Sequence, residues 1–329
     1  MLKTTQRRAA SASVFSALIC AGMISSQPLL AADMGKSNET IKLAINEWTG
    51  QNVTTHIAGS MLTELGYTVE YVTAGNFPQH AALADGTIHA TMEVWTNNVG
   101  DIYPQMKEAG KIVDIGPLGL ETNEGWVYPI HMEQLCPGLP DWTALANCKD
   151  VLATADTFPQ GRILSYPADW GTRTVDIIKG LGLDYKAIPA GSEGALIAEL
   201  KSAAAAKSPL VMMFWAPHWV FAEVDVNWVN LPEYADECMT DPAWGPNPSE
   251  VNDCGVDKPK TVKVAWSGFE ETWPAAWTLL QSFSMSAADQ ELMMKAIDND
   301  GKDLETIVAA WMAENQSTWK PWVEQAKGN

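Results

Sequence analysis

Ile41-Lys42-Leu43-Ala44-Ile45 is a short apolar run, and the pattern beyond it decides the fold. Val53, Ile57, Met61 and Leu65 recur every four residues behind Asn52, a candidate N-cap, so the pattern has changed from strand to helix. Gly66 is placed to end that helix, because glycine takes up left-handed backbone geometry without strain. Thr68 to Val72 reads as a second strand, Pro78 to Leu83 as a short helix, and Ile88 to Trp95 as a third strand. A β-α-β-α-β order predicts a parallel sheet with covering helices, an α/β fold.

Working outward, the same theme returns further along. Ile163 to Ser165 reads as a strand and Thr172 to Leu181 as a helix. Ser192 caps a helix from Glu193 to about Ala205, and Leu210 to Trp215 is an apolar strand. Between Leu231 and Lys260 the chain turns rich in Pro, Asp, Asn and Gly and loses all periodicity, which predicts a long surface excursion. A strand over Thr261 to Trp266 and helices to the C-terminus complete the reading. No internal sequence repeat is visible.

On the N-terminal side, Lys3, Arg7 and Arg8 precede an apolar stretch from Ala12 to Ile24, with Ala31 and Ala32 before Asp33. This is the pattern of a secretory signal peptide over residues 1–32, too short and too rich in Ser and Ala for a membrane anchor. Export to the periplasm is the expected location. Cys20 follows Ile19, a poor residue before a lipidated cysteine. Cleavage removes three basic and no acidic residues, so the formal charge moves from −19 to −22. Such a surface repels nucleic acid, which is not an expected partner.

Four cysteines remain beyond the leader, and in an exported protein that predicts two disulfides. Of the three pairings, Cys136 with Cys148 and Cys238 with Cys254 close the shortest loops and are favoured. The spacing does not match a zinc motif.

The chain has 15 tryptophans, far more than a core requires. Packing is the expected role of Trp142, Trp228, Trp244, Trp273, Trp277, Trp311, Trp319 and Trp322. Five others stand next to turn residues, most of them at strand ends: Trp48, Trp95, Trp126, Trp170 and Trp215. In open α/β sheets ligands bind at the carboxyl ends of strands. Several indole faces around one cavity suit a methylated onium ion, which has no N–H to donate and spreads its charge over methyl groups. Each such contact contributes about 0.5–2 kcal/mol, and micromolar binding needs about 8 kcal/mol.

At these motifs the chain resembles the glycine betaine, choline and trimethylamine N-oxide binding proteins of ABC importers. The marks are Trp95 after the third strand, Asp169-Trp170-Gly171 opening a helix, and Trp215-Ala216-Pro217-His218-Trp219. The resemblance covers essentially the chain beyond Ile41. It implies a two-lobed type II periplasmic-binding-protein clamshell with the ligand in the inter-lobe cleft, working as a monomer with a membrane permease. It implies that Trp95, Trp170 and Trp215 form the cage, with Trp48 and Trp126 as further walls and His218 beside it. The expected division is lobe 1 from residues 33–127 and 266–329 and lobe 2 from residues 128–265.

The polar end of the ligand divides two readings. Gly171, Thr172 and Arg173 open a helix directly after a cage tryptophan, and helix N-termini bind carboxylates, which makes glycine betaine or dimethylsulfoniopropionate the leading expectation. Glu124, in Glu124-Gly125-Trp126, favours trimethylamine N-oxide or choline instead, because a pocket carboxylate repels a betaine. Relatives that look specific for trimethylamine N-oxide carry a similar Glu-Gly-Trp, and the acidic insert near Asp236 to Asp257 resembles the same subgroup. Its acidic side chains raise calcium as a minor expectation, without Ca-loop spacing; no cofactor and no metal is expected.

A rival class is an exported enzyme of osmolyte metabolism. No Gly-x-Ser-x-Gly elbow and no His-Glu-x-x-His signature occurs, and the five histidines are scattered, so no catalytic residue is expected. A third class, a receptor domain for the same solutes, lacks a membrane segment beyond the leader.

Overall fold

The computed structural model describes residues 1–3, 5 and 32–328, so the expected leader falls almost wholly outside the described residues. Along the chain the strands are β1 (Ile41–Ile45), β2 (Val69–Thr73), β3 (Ala90–Trp95), β4 (Ile112–Pro117), β5 (Asn123–Pro129), β6 (Pro137–Pro140), β7 (Gly161–Ser165), β8 (Tyr185–Pro189), β9 (Met212–Ala216), β10 (Val226–Trp228) and β11 (Thr261–Trp266). They form two five-stranded sheets, in the orders β2-β1-β3-β11-β4 and β10-β5-β9-β7-β8, with β6 in neither.

In the first sheet β1 pairs in parallel with β2 and β3, as the β-α-β-α-β pattern requires, while β11 runs antiparallel between β3 and β4. In the second, β7 pairs in parallel with β8 and β9, and β5 runs antiparallel between β9 and β10. The two sheets therefore have the same strand order, read as β2-β1-β3-β11-β4 and β8-β7-β9-β5-β10. The chain leaves the first sheet between Pro117 and Asn123 and returns at Thr261. The division expected at 127/128 falls inside β5, and that at 265/266 falls inside β11.

The first helix spans Thr49–Leu65, four residues longer at its start than its apolar spacing indicates. Asn52 does not cap it. Its amide donates instead to the carbonyls of Trp48 (2.9 Å) and Asn46 (3.1 Å), inside the first turn. Gln51 locks the preceding loop by accepting from Asn46 N–H (2.9 Å) and donating to the Ala44 carbonyl (2.8 Å). Gly66 closes the helix at φ 109°, a left-handed value.

Both disulfides are those of the short loops, Cys136–Cys148 and Cys238–Cys254. The excursion after Leu231 is pinned by the second and packs on the helix Arg173–Gly180. A Cβ at Gly180 would come within 2.5 Å of the Asn252 backbone, so only glycine admits this approach. Of the tryptophans expected to pack, Trp273, Trp277, Trp311 and Trp319 are buried, whereas Trp244 is exposed on the excursion. Among the described residues no helix is long and apolar enough to cross a membrane. Trp48 and Trp95, carried by the first sheet, belong to the apolar core of the second, so the aromatic residues sit where the halves meet.

Candidate functional site

A cavity between the sheets is lined by Trp48, Asn76, Trp95, Asn98, Glu124, Tyr166, Trp170 and Trp215. Trp48 follows β1, Asn76 follows β2, Trp95 ends β3, Tyr166 and Trp170 follow β7, and Trp215 lies near the end of β9. All of these come from the carboxyl ends of parallel strands, where the polar ends of the strands open into a crevice.

The rings stand edge to face. Trp48 and Trp170 are 5.3 Å apart at 70°, Trp170 and Trp215 5.7 Å apart at 72°, and Tyr166 meets Trp170 and Trp215, each at 5.7 Å. Near-perpendicular rings surround the cavity, and the electron-rich face of an indole suits a compact cationic head. No Lys or Arg lines this cavity.

Two carboxyl groups are buried here. Glu124 comes from β5 and accepts from Asn98 Nδ2 (2.6 Å) and from Asn97 Nδ2. Burial raises its pKa, opposed by the hydrogen bonds from Asn97 and Asn98 and by the nearby Tyr166 hydroxyl. The Tyr166 hydroxyl lies beside Glu124, and burial and that carboxylate push its own pKa well up. Glu93 lies behind the rings. Its Oε1 accepts the indole N–H of Trp48 (3.0 Å) and of Trp95 (3.0 Å), and its Oε2 accepts from Gln290 (2.7 Å) and Thr54 (3.2 Å). Burial raises the pKa of Glu93 too, against the pull of these four donors.

The structure separates the sequence candidates. Trp48, Trp95, Trp170, Trp215 and Glu124 line the cavity, while Trp126, Gly171, Thr172, Arg173 and His218 do not. Trp126 is fully buried, its indole N–H 3.4 Å from Thr174 Oγ1. Gly171 backs the wall, with Asn98 3.1 Å from where its Cβ would stand and φ at +127°. Thr172 donates to Asp176 (2.9 Å). Arg173 turns away to the excursion, donating to Asn252 Oδ1 (3.0 Å) and to the carbonyls of Cys254 (3.0 Å) and Gly255 (2.5 Å). His218 packs at right angles behind Trp215, at 5.1 Å. Asn76, Asn98 and Tyr166 carry no signal of their own in the sequence, although each lies just beyond a strand whose end faces the crevice.

The halves also touch beside the cavity. Glu193 accepts from the Thr49 backbone N–H (2.8 Å), and Asp298 accepts from Thr49 Oγ1 (2.6 Å) and Trp219 Nε1 (2.9 Å). Glu193, His218 and Asp298 form a close triad, in which His218 Nδ1 accepts from Val220 N–H and Nε2 faces Glu193 (3.3 Å). Among the described residues the acidic side chains of the excursion form no comparable group.

This fold and cavity agree with the likeness of the chain to known proteins. The chain belongs to the family described as the substrate binding domain of ABC-type glycine betaine transport systems, whose model matches residues 39–314. It is 29% identical over 296 residues to the trimethylamine N-oxide-binding protein of Pelagibacter ubique (strain HTCC1062), covering 88% of this chain and 92% of that one. Its fold is similar to lactococcal OpuAC, solved closed with glycine betaine (TM-score 0.67, 19% identity, 87% of this chain and 99% of that one). It is similar also to an ABC-transporter choline binding protein solved with choline (TM-score 0.70, 21% identity, 87% and 92%). The architecture is the two-lobed type II periplasmic-binding-protein fold.

Proposed function

We propose that this chain captures a small methylated onium solute without a carboxylate, trimethylamine N-oxide foremost, and delivers it to the permease of an ABC importer. The observation that carries the reading is Glu124, a buried carboxyl group in a cavity walled by four indoles and lined by no cationic side chain. The rings take the methylated head by cation–π contact. At the other end, a carboxyl group whose burial favours its protonated form donates to an N-oxide oxygen, or in its ionised form accepts the hydroxyl of choline. The Tyr166 hydroxyl is buried beside it without an aligned partner, a second donor for the same oxygen.

Glycine betaine and dimethylsulfoniopropionate, favoured by the helix N-terminus after Trp170, fit less well. Arg173 is engaged by the excursion, Thr172 by Asp176, and a betaine carboxylate would meet Glu124 instead. The 29% identical relative is itself named a trimethylamine N-oxide-binding protein, which supports the same choice. Lobe 1 then comprises the β2-β1-β3-β11-β4 sheet and lobe 2 the other, and the protein acts as a periplasmic monomer that binds without turnover.

Calorimetric titration of the mature chain with trimethylamine N-oxide, choline and glycine betaine tests this. Micromolar binding of the N-oxide, with glycine betaine at least about tenfold weaker, is expected. Glycine betaine binding tighter than the N-oxide would overturn the choice of ligand, and binding of none would overturn the onium reading.

A further inference from the structure

We propose that Glu93 is a positioning residue for ligand capture, one carboxylate that fixes two walls of the cage by their indole N–H groups and places its negative charge behind them. The inference rests on the reading of the aromatic cluster as an onium cage, and its subject is a residue that lies outside the cavity.

The geometry is specific. Trp48 stands in a loop after β1 and Trp95 ends β3, yet both indole N–H groups converge on the same oxygen, Glu93 Oε1, at 3.0 Å each. The other oxygen is held by Gln290 Nε2 at 2.7 Å and Thr54 Oγ1 at 3.2 Å. Glu93 is 1% exposed and Gln290 2%, so water supplies none of these bonds. Gln290 also donates to Gly50 O (3.2 Å) and Thr54 Oγ1 (3.0 Å), tying the start of the helix Thr49–Leu65, directly after Trp48, to the helix Ala287–Asp298.

Three N–H groups on one side chain need a carboxylate. An amide offers a single acceptor oxygen, so a glutamine at this place would set its own N–H groups against the indoles or against Gln290. Acceptors that are charged make the shorter and stronger hydrogen bonds. The bonds leave each ring unable to rotate about its stem, so both faces are aligned before a ligand arrives, and preorganised walls lower the ordering cost of binding. Electrostatics adds to this. An indole attracts a cation through the negative face of its ring, and the ionised form of Glu93, which its four donors favour against the effect of burial, increases that negative potential from the N–H edge in a region of low dielectric. Nothing among the described residues neutralises Glu93 with a positive charge: its partners are two indoles, an amide and a hydroxyl.

The test uses Glu93→Gln alone and combined with Gln290→Glu. The pair of exchanges restores the match between the two side chains, with the amide oxygen accepting from the indoles and the amide N–H donating to the new carboxylate, while the bond from residue 290 to Gly50 O is lost. Each protein is titrated with trimethylamine N-oxide, with choline, and with the neutral choline analogue in which carbon replaces the onium nitrogen. The indole N–H proton shifts of Trp48 and Trp95 are read by NMR without ligand. Glu93→Gln is expected to weaken choline by about tenfold or more and the neutral analogue by less than about threefold, and to move both indole resonances upfield. The double variant is expected to recover the resonances and part of the choline affinity. Unmoved resonances in Glu93→Gln, or equal losses for choline and its neutral analogue, would overturn the proposal. Wild-type protein that binds neither solute removes the cage reading, and the indole resonances then still decide whether Glu93 holds the two rings.

Discussion

Glu124 on β5 stands directly opposite Trp215 on β9 in an antiparallel register, so a carboxyl group and an indole share one face of the second sheet. Directly paired residues have neighbouring side chains, and this single pairing brings a polar atom into an otherwise aromatic box. A one-residue slip of β5 would turn Glu124 to the opposite face and put Gly125 or Asn123 in its place.

The pairing predicts selectivity. Glu124→Gln removes the charge and keeps the shape. The ratio of glycine betaine to trimethylamine N-oxide dissociation constants should fall by about tenfold, the effect of removing one like-charge contact of about 1.4 kcal/mol. Calorimetric titration of both solutes against both proteins measures it, and an unchanged ratio means that Glu124 does not face the ligand.

Trp170 meets Trp48, Tyr166 and Trp215 at once, so it is the ring whose loss opens the box most. Trp170→Ala should abolish measurable onium binding. It should also cost about 3–5 kcal/mol of stability as a buried aromatic truncation. Trp170→Phe keeps a ring of weaker quadrupole and should fall between the two in affinity. Denaturant unfolding and calorimetry separate the effects.

His80 predicts an acid sensitivity unrelated to the cage. Its ring is fully buried, neither nitrogen has a partner, and burial lowers its pKa to about 4. Between about 4 and the ordinary value of 6.5, the unfolded chain holds a proton that the folded chain does not, so stability falls as the pH drops through that window. The full effect is of order 3 kcal/mol. His80→Leu should flatten this part of the stability profile relative to wild type, as measured by denaturant unfolding at a series of pH values.

Arg173 predicts a separation between integrity and binding. It holds the excursion through Asn252, Cys254 and Gly255 and is itself largely buried. Arg173→Ala should destabilise by about 2–3 kcal/mol, the scale of lost charged hydrogen bonds. It should speed proteolysis between residues 231 and 260 and leave onium affinity within about twofold. A large affinity loss with an intact excursion would place Arg173 at the ligand instead.

Much of the molecule is legible in the chain. The strand-helix alternation marks the parallel parts of both sheets, and the rule that crevices lie at strand carboxyl ends leads to Trp48, Trp95, Trp170 and Trp215. It fails for Trp126 because β5 runs antiparallel. There the beginning of the strand, not its end, reaches the crevice, so Glu124 enters while Trp126 lies two residues deeper. Local patterns carry no sign of strand direction for a segment that pairs with a distant partner. Arg173 and Thr172 stand out by their place at a helix start, but tertiary contacts with the excursion and with Asp176 decide where they point. Glu93 illustrates another limit: alternation in Met92-Glu93-Val94-Trp95 does not tell a solvated carboxylate from one buried under two indoles.

The shared strand order of the two sheets has a geometric consequence for the cage. Trp48 follows β1 as Trp170 follows β7, and Trp95 closes β3 as Trp215 nears the close of β9, so each sheet supplies one ring from each of two strands equivalent in order. Where β5 places Glu124 against Trp215, the equivalent strand β11 places Thr261 against Trp95. Only the pairing in the second sheet brings a carboxyl group to the cavity, and it gives the guest a front and a back.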